Sequence, residues 1–293
     1  MSWRVVVVTR IAPVLAGFDA VVREAGHQPV ALLSIRSTDG RYGPFQDTAE
    51  LLQSAASDLD VLLPARRSTI APLLASVEPD LVVCMGFPWK IPADALAVPR
   101  LGWINGHPSL LPRHRGPLPI AWAIREGDEQ IGFTFHRMDA ELDTGAIPAQ
   151  RQFPIGEYEP PDGFYPRIGP VGMEALAEAL ERMGAGDEGT PQGEGGSYES
   201  FFEEDAVWLD LSRPAAEVHR LAWAWRYAIA PGGTQGALLE LDGKTVRVLA
   251  TSLTEVEGAR RLECGDGPLW VVETEELSEG GASSSSAPAP STQ

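Results

Sequence analysis

Residues 4–35 read RVVVVTRIAPVLAGFDAVVREAGHQPVALLSI, and this stretch decides the fold class. Four consecutive valines bounded by polar residues are typical of a strand buried on both faces of a sheet. Pro13–Glu24 places apolar residues at helical spacing, and Gly26 marks the end of that helix. The segment QPVALLSI then predicts a second buried strand. A strand, a helix and a strand in this order indicate a βαβ unit and therefore a parallel sheet.

The same alternation of strands and helices continues to about residue 183. Strands are predicted at 61–63, 80–87, 102–105 and 131–138, and helices at 47–57, 69–77, 119–126 and 173–183. We therefore predict an open, twisted α/β sheet that forms a catalytic domain over residues 1–183. In such sheets, ligands bind beyond the carboxyl ends of the strands.

The composition changes after this first unit. Residues 184–205 begin with a Gly-rich, acidic segment and are predicted to be a linker. Residues 206–277 combine one helix, at 215–227, with an Asp-Gly hairpin signal, which indicates a smaller, β-rich second domain. Residues 278–293, SEGGASSSSAPAPSTQ, are of low complexity and predict a disordered tail.

Charge and cysteine content limit the classes of partner and compartment. The 293 residues carry 41 acidic and 23 basic side chains, a net charge of −18, which disfavours nucleic-acid and membrane partners. The two cysteines form no zinc-ligand spacing and no disulfide framework, so we expect no metal and a cytoplasmic location. The N-terminal apolar run is too short for a signal peptide, and no stretch approaches the roughly 20 apolar residues of a membrane span.

Polar residues suited to acyl transfer follow two of the predicted strands. Asn105 and His107 alternate with Gly106, so both side chains point the same way if the strand stays extended. Asp143 lies 36 residues beyond His107. An amide and an imidazole can stabilise the oxygen of an attacked carbonyl, and a carboxylate can fix the imidazole tautomer and raise its pKa. No Gly-x-Ser-x-Gly motif is present, which favours direct transfer over a covalent acyl-enzyme.

Each of these residues also has a structural interpretation. Asn-Gly is a common turn pair, a His beside Pro is usually a surface residue, and Leu-Asp-Thr-Gly can cap a helix. Their joint placement at one edge of the sheet puts the catalytic interpretation on an equal footing with the structural one. The other histidines are expected to be structural (His136) or to lie at the surface (His27, His114 and His219).

Two segments carry a family resemblance. Asn105–Pro117 reads NGHPSLLPRHRGP, and Gly132–Gly145 reads GFTFHRMDAELDTG. Together they resemble the signature of the 10-formyltetrahydrofolate-dependent formyltransferases, which include methionyl-tRNA formyltransferase and sugar N-formyltransferases. The resemblance implies a Rossmann-like N-terminal domain, an OB-like C-terminal domain, and 10-formyltetrahydrofolate as the formyl donor, released as tetrahydrofolate.

The resemblance also implies roles for individual residues. Asn105 and His107 would stabilise the oxyanion, His107 would also transfer protons, and Asp143 would orient and tune His107. The pterin would lie between the segments 87–91 and 139–143, so the implied folate-binding residues are Phe87, Trp89, Ile91, Asp139 and Glu141. Because relatives often carry a smaller or polar residue in its place, Trp89 either stacks on the pterin or packs the rim of the site.

Charge also bears on the formyl acceptor. Residues 201–279 contain 15 acidic and seven basic side chains, which is the wrong sign for a tRNA-binding surface. We therefore predict transfer to a primary amine of a small molecule, such as an amino sugar, an amino acid or a natural-product scaffold. Methionyl-tRNA formylation, or hydrolysis or binding of the donor without an acceptor, is the alternative. Arg113 and Arg115 are candidate anchors for an anionic group of the acceptor, and a plain salt bridge is at least an equal alternative for each. Arg10, at the end of the first strand, is a further candidate on the predicted rim of the site.

Overall fold

A computed structural model describes residues 2–35, 48–156, 159–228 and 236–277. Its larger sheet contains β1 (Arg4–Val8), β2 (Gln28–Leu33), β3 (Asp60–Leu62), β4 (Leu81–Cys84), β5 (Trp103–His107), β6 (Gln130–Arg137) and β7 (Ala149–Pro154). Across the sheet the order is β3-β2-β1-β4-β5-β6-β7. The first five strands are parallel, as predicted, whereas both pairings of β6 are antiparallel. The sheet is therefore mixed, with an antiparallel edge.

Helices cover both faces of this sheet. They are α1 (Ala12–Glu24), α2 (Thr48–Ser54), α3 (Ile70–Ala75), α4 (Ala93–Leu96), α5 (Pro119–Glu126) and α6 (Pro161–Gly184), and a 3₁₀ turn covers Arg67–Thr69. Helices α1 and α6 share one core cluster with Val5, Val7 and Phe135, while α3 and α4 share a second cluster with Val6 and Val8. This alternation along β1 shows that the strand is buried on both faces, as its valine run predicts.

Two elements differ from the sequence-based prediction. Helix α6 begins at Pro161, 12 residues before the predicted start, and contains Pro166 and Pro170. Prolines normally break a helix, but buried Phe164 and Ile168 anchor this first half in the core. Strand β7 was not predicted, because only two of its six residues are buried and it has no apolar run.

The C-terminal part forms a second sheet. A 3₁₀ turn (Glu204–Val207) and α7 (Ala215–Tyr227) precede β8 (Ala237–Leu241), β9 (Lys244–Ser252), β10 (Arg260–Glu263) and β11 (Pro268–Glu276). These strands pair antiparallel in the order β10-β11-β9-β8, and Asp242 and Gly243 adopt positive φ in the predicted hairpin. The predicted fold class, an α/β unit followed by a smaller β unit, is confirmed. The predicted tail at 278–293 lies outside the described residues.

The second unit packs against the first through its helix. Helix α7 contacts α5 on one side and β9 on the other. Trp225 and Tyr227 of α7 belong to the same core cluster as Phe164 of α6. No helix among the described residues combines the length and apolar character needed to cross a membrane.

Candidate active site

A cavity of about 590 Å³ opens at the carboxyl ends of β4 and β5. Its polar lining includes Asn105, His107, His136 and Asp143, and apolar and aromatic side chains form most of the remaining wall. The predicted position of the site, beyond the strand ends, therefore coincides with a cavity that is large enough for a ligand.

Strand β5 places two of these side chains together. Asn105 and His107 both belong to β5, and the residue between them packs in the opposite direction. A Cβ atom at Gly106 would lie 3.0 Å from the Phe133 ring and 3.1 Å from the Phe135 ring. Only glycine fits this position without displacing the rings, which explains the Asn-Gly-His sequence by packing and not by a turn.

The loop after β6 brings Asp143 to the same place. Asp143 has a φ of +58°, and the Gly116 amide donates a hydrogen bond of 2.9 Å to its Oδ2 atom. Gln192 Nε2 donates to the carbonyl oxygens of Asp143 and Gly145, each at 2.9 Å. A Cβ atom at Gly145 would lie 2.0 Å from the Arg137 carbonyl oxygen, so the loop requires glycine there. These contacts hold the carboxylate in a fixed position.

His136 lies at the centre of the polar cluster. It faces Asn105 across the antiparallel β5–β6 ladder, and its Nδ1–H donates to the Arg137 carbonyl at 2.8 Å. Its Nε2 atom lies 3.1 Å from Asn105 Nδ2 and 3.3 Å from Asp143 Oδ1. These two contacts are alternatives, because a nitrogen that accepts from the amide cannot donate to the carboxylate in the same protonation state. His136 thus couples the amide to the carboxylate, which goes beyond the structural role expected from its position in a strand.

The tautomer of His107 follows from one hydrogen bond. His107 Nε2 lies 2.8 Å from the carbonyl oxygen of His114, which can only accept, so Nε2 carries the hydrogen. In neutral His107, Nδ1 is therefore unprotonated, and it lies 3.9 Å from Asp143 Oδ1. We expected the carboxylate to fix the tautomer; a backbone carbonyl does so instead.

Burial and charge set the protonation of this pair. Desolvation lowers the pKa of His107, and this outweighs the opposing effect of Asp143, so the shift is opposite to the expected direction. Desolvation alone would raise the pKa of Asp143, but its contact with His136, the nearby His107 and the hydrogen bond from the Gly116 amide lower it to about 2. At neutral pH the site therefore holds a neutral His107 beside an ionised Asp143.

The residues implied to bind folate line the cavity, namely Phe87, Trp89, Ile91, Asp139 and Glu141. Trp89 packs edge-on against Phe87, with 5.9 Å between the ring centroids. Asp139 Oδ1 accepts hydrogen bonds from the Glu141 amide and the Thr144 hydroxyl, at 2.9 and 3.0 Å, which shapes the loop that carries Asp143.

The three arginines proposed as acceptor anchors lie elsewhere. Arg113 forms two hydrogen bonds with Asp128, at 2.8 and 3.0 Å, and Arg115 binds Gln192 Oε1. Arg10 is buried at the end of β1. None of the three lines the cavity.

Sequence reasoning missed several features of the site. Gln192 lies in the predicted linker, a Gly-rich segment without an apolar pattern, so nothing in the sequence suggests its contact with the loop that carries Asp143. The central position of His136 follows from an antiparallel pairing that a parallel sheet does not predict. His114 and His219 were expected at the surface, which is wrong, because they are 3% and 0% exposed.

Comparisons with known proteins identify the family of this chain. A family profile described as formyl transferase matches residues 44–180. The chain is 36% identical over 208 residues to the methionyl-tRNA formyltransferase of Pseudomonas fluorescens Pf-5, a match that covers 69% of this chain and 63% of the relative. It is 31% identical over 285 residues to the methionyl-tRNA formyltransferase of Roseiflexus sp. RS-1, covering 92% and 84% of the two chains. The match thus spans less than two thirds of the first relative.

Solved structures share the fold. A sugar N-formyltransferase from Shewanella sp. has a TM-score of 0.66 and 21% identity, with 86% of this chain and 99% of that chain covered. HypX from Aquifex aeolicus, in complex with tetrahydrofolic acid, has a TM-score of 0.65 and 20% identity, with 94% and 44% covered. At these identities the structures support the fold alone. From the family profile and the sequence relatives, this chain belongs to the formyltransferase family.

Proposed function

We propose that the protein transfers the formyl group of 10-formyltetrahydrofolate to a primary amine of a small molecule. The observation that carries this proposal is the convergence of Asn105, neutral His107 and ionised Asp143 on one cavity. These three groups supply a hydrogen-bond donor, a proton acceptor and a fixed negative charge beside it, which are the requirements of direct acyl transfer.

Asn105 is suited to stabilise the developing negative charge. A folate formyl donor supplies a carbonyl carbon that the amine attacks, and the bond between this carbon and the folate nitrogen breaks. Asn105 Nδ2 carries two hydrogens, of which one can be donated to His136 at 3.1 Å. The other is then available for the carbonyl oxygen as negative charge grows there.

His107 is suited to carry the proton between the two nitrogens. Its unprotonated Nδ1 atom accepts the proton that the attacking amine loses, and the Asp143 carboxylate 3.9 Å away stabilises the imidazolium that forms. His107 then returns this proton to the folate nitrogen as that nitrogen leaves. The proton balance closes without any other group, and the products are a formamide and tetrahydrofolate.

The cavity suits a folate-type donor. Segments 87–91 and 139–143 both contribute to its lining, which includes apolar Ile91 and Met138 and the acidic residues Asp139 and Glu141. An aromatic heterocycle with polar edges matches such a mixture of apolar and polar lining. The tetrahydrofolic acid named for HypX of A. aeolicus, a protein of the same fold, supports this assignment.

The acceptor is the point on which relatives and composition differ. The sequence relatives are named methionyl-tRNA formyltransferases, and this favours tRNA as the second candidate. Against it stand the net charge of −18 and the excess of acidic side chains in residues 201–279. A sugar N-formyltransferase from Shewanella sp. shares the fold, which is compatible with a small acceptor. We therefore favour a small-molecule amine.

The proposed division into domains follows from where the catalytic groups lie. Asn105, His107, His136 and Asp143 all belong to residues 1–183, which we assign as the catalytic domain. We propose that residues 206–277 form a second domain, joined to the first by residues 184–205.

One assay separates the candidate functions. The protein is incubated with 10-formyltetrahydrofolate and either a panel of small amines or initiator methionyl-tRNA, and products are detected by mass spectrometry as a gain of 28 Da. We expect a formylated small amine and stoichiometric tetrahydrofolate. Preferential formylation of the tRNA would reject the proposed acceptor class. Rapid release of formate that no amine suppresses would identify a hydrolase.

A further inference from the structure

We infer that the amine acceptor carries an aromatic or bulky apolar group and lacks a phosphate close to the amine. This inference rests on the proposed function and specifies its substrate. It is carried by four side chains that line the cavity and that the chemistry above does not use: Tyr165, Tyr198, Phe201 and Tyr227, which we call the aromatic wall.

The aromatic wall lies apart from the segment assigned to the donor. Ile91 belongs to the core cluster of α3 and α4, and Phe87, Trp89 and Met138 pack against that cluster. Tyr227 belongs to the other cluster, which contains α1 and α6. Tyr227 and the side chains of the donor segment therefore pack on opposite faces of the sheet. A donor held by that segment leaves the aromatic wall for the acceptor.

The aromatic wall begins beside the catalytic carboxylate. Arg115 and Tyr198 form a parallel β-bridge, which places the Tyr198 segment along the loop that carries Gly116. A Cβ atom at Gly116 would lie 3.5 Å from Cε2 of the Tyr198 ring, and the amide of Gly116 donates to Asp143 at 2.9 Å. A substituent attached to the reacting amine would thus reach this ring directly.

Three of the four rings of the wall expose part of their surface, and the fourth, Tyr227, is buried behind them. Tyr165, Tyr198 and Phe201 are 42%, 57% and 44% exposed, although all three line the cavity. Tyr165 also rests on Tyr227, with 6.0 Å between the ring centroids, and the Tyr227 hydroxyl donates to the Glu159 carbonyl at 2.5 Å. This wall is therefore a supported apolar surface, of the kind that binds aromatic or branched groups.

The distribution of basic side chains disfavours an acceptor that carries a phosphate close to the amine. Within the described part of the chain, the basic side chains that line the cavity are Arg67 and Lys90. Lys90 belongs to the donor segment, and Arg67 follows β3, at the far edge of the sheet from β5. A phosphate beside the amine would therefore find no cation on the aromatic wall. Apolar surroundings also favour the neutral, nucleophilic form of the amine.

The test compares amines that differ only in the side group. The full-length protein receives 10-formyltetrahydrofolate with phenylalaninamide, leucinamide or glycinamide, or with a nucleotide-linked amino sugar as the phosphate-bearing acceptor. We expect kcat/KM for phenylalaninamide to exceed that for glycinamide by tenfold or more, which is the scale for burying one apolar side group. We expect the amino sugar to react no better than glycinamide.

Variants of the wall then locate the selectivity. Tyr198→Ser and Phe201→Ser should each raise KM for phenylalaninamide roughly tenfold and reduce the preference for phenylalaninamide over glycinamide, while KM for the folate donor stays within about twofold. Trp208→Ser is the matched control, because Trp208 is 44% exposed and does not line the cavity. Tyr198, Phe201 and Trp208 are all exposed, so we expect each ring to be removable without opening the core. Thermal unfolding of the three variants checks this.

The possible outcomes distinguish the two proposals. Formylation of every amine with equal kcat/KM overturns this inference and leaves the proposed function intact. An increase in donor KM, and not acceptor KM, in the two wall variants also overturns it, because the rings would then contact the donor. Formylation of no amine in either panel refutes the proposed function, and the inference with it.

Discussion

Two buried histidine clusters lie next to each other in this protein, and only one of them faces the cavity. The cavity cluster comprises Asn105, His107, His136 and Asp143. The sealed cluster comprises Arg113, His114, Asp128 and Glu199, none of which lines the cavity. Both place an imidazole beside a carboxylate, so residue type alone does not separate a catalytic group from a structural one.

The clusters differ in the contacts that the ring nitrogens of their histidines make. In the sealed cluster, His114 Nε2 lies 2.9 Å from Asp128 Oδ2, and Nδ1 lies 3.6 Å from Glu199 Oε1. Both ring nitrogens are thus directed at protein carboxylates. In the cavity cluster, His107 Nε2 donates to the His114 carbonyl, and Nδ1 lies 3.9 Å from Asp143 Oδ1, whose residue lines the cavity. Because His107 lines the cavity and His114 does not, the unprotonated Nδ1 atom of His107 is the nitrogen to which we assign proton transfer.

The largest effect is expected from removing that nitrogen. His107→Ala should lower kcat/KM about 10²–10⁴-fold, because the attacking amine loses its proton acceptor. Asn105→Ala should lower kcat about 10²–10³-fold through the loss of one donor to the oxyanion. Steady-state kinetics with a formylated product readout measures both effects.

The control for these variants is thermal unfolding, which should change little, because both side chains border a cavity. Near-wild-type kcat/KM in His107→Ala would show that the proton leaves by another route, and would remove the distinction between the two clusters.

A pH profile sharpens the role of the carboxylate. Burial lowers the pKa of His107, so kcat, which reports the bound complex, should fall on the acid side below pH 6.5 as His107 becomes protonated. Asp143→Asn removes the negative charge that favours the imidazolium. The pKa of His107 should then fall further, and the acid limb should move to lower pH while kcat decreases.

Stability must be followed over the same pH range. The unfolded chain binds a proton at His107 below about pH 6.5, whereas burial lowers the pKa of this residue in the native state. The free energy of unfolding should therefore decrease as the pH falls from about 6.5 towards the native pKa. An acid limb that moves to higher pH in Asp143→Asn would contradict the assigned electrostatics.

The sequence was sufficient for the elements whose patterns are local. The valine run of β1 and the Asn-Gly-His and Leu-Asp-Thr-Gly segments were assigned to the strand and the site edge where the structure places them. Alternation in β5 directly predicts a shared face for Asn105 and His107.

The remaining features depend on contacts between distant residues. The tautomer of His107 is set by the backbone of His114, seven residues away, and His114 in turn contacts Glu199, 85 positions later. No local period encodes such a contact. The first half of α6 was missed for a related reason, because tertiary packing of Phe164 and Ile168 outweighs the proline penalty.

A substitution in the sealed cluster is expected to have an effect of intermediate size, and to lower stability instead of activity. His114→Ala leaves two carboxylates facing a buried space, which should lower the free energy of unfolding by about 3 kcal/mol. The backbone carbonyl that binds His107 remains, so kcat/KM of the folded protein should stay within about tenfold of wild type. Urea denaturation and kinetics at a temperature where the variant is folded measure the two quantities.

Comparison with His107→Ala makes this a double test. His107→Ala, in the cavity cluster, should lower kcat/KM and leave the stability of the protein nearly unchanged. His114→Ala, in the sealed cluster, should lower the stability and leave most of the activity. A loss of activity of 10²-fold or more in folded His114→Ala would mean that the sealed cluster also positions His107, and that the two regions act as one unit.

The smallest effect is expected at the rim of the sealed cluster. The Arg113 side chain is 56% exposed and pairs with Asp128, so Arg113→Ala should cost less than about 1 kcal/mol of stability. Because Arg113 does not line the cavity, kcat/KM for the amine should not change. Asp128 keeps its contact with His114 at 2.9 Å, which preserves the buried part of the cluster. An increase of more than tenfold in the acceptor KM would instead establish Arg113 as an acceptor anchor, and would extend the functional site into the region that we consider sealed.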